Sequence, residues 1–325
     1  MSRPFCDLHL HIEGTLEPAT IFRLARAQGV TLPYPDEDDL ARRYQFTDLQ
    51  SFLDLYYDNM RVLRTEDDFA AMAWAYFLRA QHAGVAHVEL FVDPQAHSTR
   101  GVPETVVLHG LRRAMDHARE ALGITSAIVV CVLRDQPVES AHAMLDAVRD
   151  SGVEITGIGL DSAERGNPPE RFASVFAEAR EAGLHVVAHA GEEGPADYVW
   201  QALDVLGAER IDHGIRALDD TALVRRLVKD RIPLTVCPLS NVRLRVVPTI
   251  GQVPLRRMLD EGLTVTINSD DPAYFGGYLD DNLRAIQAAA ALTDADLDRL
   301  CANSIAASFL AGHEKERLRR RRPPR

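Results

Sequence analysis

The stretch "DLHLHIE", Asp7–Glu13, alternates polar and apolar side chains with a period of two. That is strand periodicity, so His9 and His11 are expected on one face of the same strand. Two imidazoles side by side are seldom arranged for packing, and a Gly-Thr pair follows them at once. The strand therefore ends in a place where chemistry is expected, and its partners must come from elsewhere in the chain.

Outward from this strand ("PFCDLHLH", 4–11) the chain alternates between β-rich runs and helical stretches. The runs are "VAHVELFVD" (85–93), "ITSAIVVCVL" (124–133), "EITGIGLD" (154–161), "LHVVAHA" (184–190), "RIDHG" (210–214), "IPLTVCP" (232–238) and "LTVTINSD" (263–270). Several are near-continuous in Val, Ile and Leu, the mark of parallel strands covered on both faces. The stretches between them carry helix-start chemistry, as in "TEDDFAAMAWAYFLRAQHAG" with Thr65 as N-cap, Asp68 three residues on and Gly84 at the end. Eight β/α units predict an α/β fold closed into a (β/α)8 TIM barrel rather than an open sheet. Residues 14 to 82 form a helical insertion after the first strand, with an amphipathic segment "LQSFLDLYYDNMRVL" expected to pack through Phe52, Leu55 and Tyr56. No linker or repeat divides the chain, so residues 1–312 read as one domain. The basic run 313–325, "HEKERLRRRRPPR", reads as a solvated, frayed tail.

At 325 residues and 46% hydrophobic, the chain can bury a large core. A net charge of −12 argues against nucleic acid or an anionic membrane as partner, since both require a basic excess. The cysteines at 6, 131, 237 and 301 are far apart and contain no C-x-x-C pair, so neither a disulfide framework nor a zinc knuckle is expected. There is no signal-peptide pattern and no apolar run near 18 residues, which predicts a cytoplasmic protein. Oligomeric state is not legible.

In a barrel the active site forms at the carboxyl ends of the strands, and the unusual polar residues fall there. His9 and His11 end strand one, His189 ends strand five within "HAGEEG", His213 ends strand six, and Asp270-Asp271 follow strand eight within "NSDDPAYFGG". Only closure of the sheet brings such remote positions together. Three imidazoles and a carboxylate suit one divalent cation, Zn²⁺ or alternatively Fe²⁺, with His9, His11, His189 and Asp270 as ligands. The remaining histidines read as structural or solvated. "CPLSN" reads as a turn and helix start capped by Ser240 or Asn241.

"DLHLHIEGTLEP", "HAGEEG", "RIDHG", "CPLSN" and "NSDDPAYFGG" together resemble the ordered motifs of the adenosine/adenine deaminase family of metal-dependent purine deaminases, most closely its adenine deaminase branch. The likeness spans about residues 5 to 312. It implies a (β/α)8 fold, one metal ion held by the same four residues, and hydrolysis of the 6-amino group of a purine base, adenine giving hypoxanthine and ammonia in purine salvage. It further implies Glu192 as proton donor to N1, His213 as the group assisting the attacking water, and Asp271 as the substrate-binding aspartate at N7. The signature of polynucleotide base deaminases, H-x-E with P-C-x-x-C, does not occur.

Adenosine deaminases of this family typically carry Asp where Glu13 stands, and Gly where Ser162 aligns. The larger residues here are expected to close the ribose site, with Ser162 and Glu164 in "GLDSAERGNPP" addressing the N3/N9 edge of a free base. The alternatives are an adenosine deaminase, or a deaminase or hydrolase of another 6-substituted purine. A binuclear hydrolase is disfavoured because no lysine follows strand four. A non-enzymatic purine-binding protein would not need the complete acid and metal set.

Overall fold

Each of the eight expected runs contains a strand. They are β1 (Cys6–His11), β2 (His87–Val92), β3 (Thr125–Leu133), β4 (Gly157–Asp161), β5 (His185–Ala190), β6 (Arg210–His213), β7 (Pro233–Val236) and β8 (Thr264–Ile267). The structure is a computed structural model and describes residues 3–320. All neighbouring strands run parallel in the order β1 to β8. Closure comes from a parallel bridge between Leu10 and Asp270, in which His11 N donates to Asp270 O (3.0 Å) and Asp270 N donates to His9 O (2.9 Å). The seam of the barrel is thus the place where β1 delivers its histidines beside the acidic pair after β8.

The inside of the barrel is solid. Phe91, Val129, Cys131 and Val187 meet there as a separate apolar cluster, and Gly159 makes room for it, since a Cβ at that position would lie 2.7 Å from Cys131 Sγ. Below them Arg210 and Glu89, both inaccessible, pair at 2.7 Å. Burial alone would raise the Glu89 carboxyl, but the Arg210 guanidinium outweighs it and brings the pKa down to about 2. The carboxylate is therefore stabilising above its ordinary value of 4.5, and that contribution fades as pH falls from there toward 2. Arg210→Met strands Glu89 without its partner. It is expected to cost about 3–5 kcal/mol in urea unfolding at pH 7, because a lone buried charge is expensive. A loss under about 1 kcal/mol would show that water reaches this layer and screens the pair.

The insertion between β1 and β2 carries helices Pro18–Gln28, Glu37–Arg42, Leu49–Asn59 and Glu66–Ala83. The last begins in the expected capping box of Thr65 and Asp68 and ends at Gly84 in left-handed conformation (φ 77°). Among the described residues no helix is long and apolar enough to cross a membrane, and all four cysteines are buried and free.

Two expectations are corrected. Residues 313–320 are not a frayed tail: helix Gly312–Arg320 docks through Leu318, which is 2% exposed. Lys315 Nζ donates to Ala306 O at 2.9 Å, and Glu314 in the first turn with Arg317, Arg319 and Arg320 in the last complement the helix dipole. The single apolar residue in a charged run is what anchors it; residues 321–325 lie outside the described residues. Ser240 and Asn241 are not caps either. Pro238 starts the helix Pro238–Arg243 earlier, after Cys237, and both side chains are fully buried within it.

Candidate active site

The imidazoles of His9, His11 and His189 and the Asp270 carboxylate converge at the seam, one donor atom of each lying within 4.8 Å of the others. His11 and His189 bring their Nε2 atoms to 3.2 Å of each other. Asp270 Oδ1 is 3.3 Å from His9 Nε2 and 3.6 Å from His11 Nε2. The outer nitrogens are held in place. Thr235 Oγ1 donates to Asp212 (2.8 Å), so it accepts from His9 Nδ1–H (2.9 Å). His189 Nδ1–H donates to the Leu160 carbonyl (3.1 Å). Both arrangements leave the Nε2 lone pair facing inward, and His9 Nε2 is buried with no hydrogen-bond partner.

Charge states agree with this geometry. Burial, followed by the neighbouring His9, holds His189 well below the ordinary imidazole range, and burial brings His11 down to about 4. Burial would raise Asp270, but His9, His213 and His11 outweigh it and keep the carboxyl well below its usual value. At His9 burial works downward, but Asp270 and Asp212 outweigh it and raise the imidazole. A positive charge is thus favoured at the centre of the cluster, and His11 and His189 held low, an ionised carboxylate and an orphaned inward nitrogen fit a divalent cation.

Beside this cluster lies a small cavity. Glu192, His213 and Asp271 line it, as the family resemblance implies. His213 Nε2 sits 3.6 Å from Glu192 Oε2 and 3.8 Å from Asp270 Oδ2. Burial and then Asp270 push the Glu192 carboxyl well above its ordinary range, which favours its protonated form. The Asp271 carboxyl is raised in the same way, by burial and then by Asp270. Burial brings His213 down to about 3. His213, Asp270 and Ser162 all take positive φ (62°, 61° and 68°), a conformation that side chains avoid and that functional sites retain. Asp270 takes this conformation, and Asp271 after it lines the cavity. Gly14 is required opposite it, because a Cβ there would collide with Asp271.

The expected substrate edge is rearranged. Ser162 lines the cavity and accepts from Tyr57 Oη at 3.1 Å. Glu164 does not address a substrate edge: its carboxylate accepts from the backbone N–H groups of Gly191, Glu192, Glu193 and Gly194 (2.6, 3.1, 2.8 and 2.7 Å). It thereby fixes the turn that presents Glu192. Glu13 also stands behind the wall, where its Oε1 accepts from His97 Nε2 (2.9 Å) and from Asp93 N–H (3.2 Å). Extra reach in Glu13 is thus used to hold the β2 exit rather than to fill the pocket directly.

Several residues outside the predicted set join the site. Asp93 and Asp161 line the cavity, and Phe52, Tyr56 and Tyr57 of helix Leu49–Asn59 form its roof. Asp93 follows β2 and Asp161 ends β4. Strand-exit position, the signal that exposed the histidines, would have found both.

A closed parallel barrel with three imidazoles and a carboxylate at its carboxyl end is the scaffold of a metal-dependent hydrolase. A sequence profile described as Adenosine deaminase matches residues 4–321. The chain belongs to that family. It is 56% identical over 319 residues to the adenine deaminase of Streptomyces coelicolor, covering 98% of this chain and 94% of that protein. The crystal structure of adenine deaminase from Arthrobacter aurescens superposes with TM-score 0.96 at 51% identity, covering 97% of each chain. A crystallised amidohydrolase of Burkholderia ambifaria with bound Zn superposes with TM-score 0.91 at 27% identity, covering 98% of this chain and 89% of that one.

Proposed function

We propose that this chain is an adenine aminohydrolase, converting adenine and water to hypoxanthine and ammonia. The observation that carries the reading is a single small cavity in which Glu192, His213 and Asp271 stand beside the three-histidine, one-aspartate cluster. Zn²⁺ is the ion we assign, because imidazole and carboxylate donors with one position to spare are its usual catalytic shell. Bound by His9, His11, His189 and Asp270, it would supply Lewis acidity that lowers the pKa of a water toward about 7.

The protein's own groups do the rest. His213 Nε2 and the free oxygen of Asp270 hold the attacking water toward C6. As the C6–O bond forms, electron density moves onto N1, and Glu192 delivers its proton there. His213 Nε2 takes one proton from the water as it attacks and passes it to the amino group. The C6–N bond then breaks, ammonia leaves, and the remaining hydroxyl proton goes through His213 to Glu192, giving the C6 carbonyl and restoring the acid. Asp271 faces N7 and keeps the ring in plane. Burial and Asp270 raise its carboxyl, which favours the form that donates to an unprotonated N7. Leu49, Leu53 and Phe275 give the cavity apolar walls, which exclude competing water and keep Glu192 protonated.

Ser162, with Tyr57 on its hydroxyl, stands where a sugar would have to leave the ring, and this supports the free base over the nucleoside. The test is ammonia release from adenine and adenosine by the metal-loaded protein. We expect kcat/KM for adenine to exceed that for adenosine by about 100-fold or more. A higher value for adenosine would overturn the assignment.

A further inference from the structure

Once Glu192 is set at N1 and Asp271 at N7, the adenine edge left to recognise is N3–C4–N9. The cavity wall available to it includes Asp93, a residue that the mechanism above does not use. Asp93 follows β2 directly, is 1% exposed, and has Oδ1 buried with no hydrogen-bond partner. Its backbone is clamped by Glu13, which accepts its N–H. One of its oxygens lies within 4.8 Å of an Asp161 oxygen and a His11 ring nitrogen, and the Asp93 and Asp161 carboxyls can bond to each other only when one carries a proton. Asp93 makes no salt bridge with any described Lys or Arg. A carboxyl oxygen buried without a partner is costly unless a ligand completes it.

We propose that Asp93 is the specificity-determining residue for the free base, its carboxyl bonding ring nitrogen N9. The inference rests on the adenine reading and deepens it. N7 and N9 share a single hydrogen, and Asp271 and Asp93 stand opposite one nitrogen each. In the tautomer with its hydrogen on N9, N9–H donates to the orphaned oxygen of Asp93. An N9 substituent removes that bond and would occupy the place of the carboxyl. Glu13 then acts through Asp93 as a positioning residue, which connects the sequence difference at position 13 to free-base selectivity without direct contact.

The experiment compares adenine with 9-methyladenine in wild type, Asp93→Ala and Asp93→Asn, with metal content and circular dichroism measured on each sample. In Asp93→Ala, kcat/KM for adenine is expected to fall on the order of 100-fold, mostly through KM. 9-Methyladenine should be unaffected or improved, since its methyl group enters the vacated space. Asp93→Asn keeps both a donor and an acceptor at the position and is expected to retain the preference for adenine within about tenfold. An equal fall for both purines in Asp93→Ala would mark a merely structural role and overturn the proposal. Should that variant not fold, the wild-type comparison decides: turnover of 9-methyladenine within tenfold of adenine overturns it. If wild type releases no ammonia from adenine at all, the functional reading has failed, not this inference.

Discussion

Glu192→Gln is expected to lower kcat for adenine by about 10²–10⁴, the usual worth of general acid catalysis, with metal content and KM close to wild type. Glutamine fills the same space but has no proton to give N1 as C6 is attacked. The effect is confined to kcat because the proton transfer occurs only in the transition state. Its surroundings support this assignment. The turn bearing Glu192 is pinned by four backbone bonds to Glu164, and burial and Asp270 raise the carboxyl well above its ordinary range. Steady-state kinetics with elemental analysis on the same preparation checks the prediction. A variant with near-wild-type kcat would remove Glu192 from the mechanism.

His189→Ala is expected to reduce bound divalent ion from about one equivalent per chain to a small fraction, and turnover on the order of 10³-fold or more. Its Nδ1–H is committed to the Leu160 carbonyl, which turns the Nε2 lone pair toward His11 Nε2 at 3.2 Å, where the proposed cation would take it up. Dialysis of wild type against a chelator should abolish activity, and Zn²⁺ should restore it; in His189→Ala, Zn²⁺ at the same concentration should not. The change leaves the β5 backbone pairing intact, so the folded spectrum is expected to persist. Wild-type metal content in an inactive His189→Ala protein would show that the ligand set is wrong.

The strands, their order along the chain, and the meeting of His9, His11, His189 and Asp270 at one end of the barrel were legible in the linear text. Strand periodicity is local, and strand ends collect at one face of any parallel barrel. The helix Glu66–Ala83 was legible for the same reason, its capping box and terminal glycine being contacts within a few residues. The basic run after residue 312 was misread because one buried leucine cannot be told from an exposed one without its receptor surface. Glu13 and Glu164 were placed near the right wall but on its wrong side. Whether a carboxylate faces substrate or backbone depends on which N–H groups another loop delivers, and Glu164 receives four of them from the turn after β5, some 27 to 30 positions away.

The chain's order of residues was enough to establish the architecture and the elements of its chemistry, since both follow from short-range patterns repeated eight times. The packing of distant segments settled the rest: Asp93 and Asp161 beside His11, the tyrosine roof over the cavity, and the raised carboxyl of Glu192. Those depend on burial and on charges brought close across the barrel, and neither quantity exists until the ring of strands has closed.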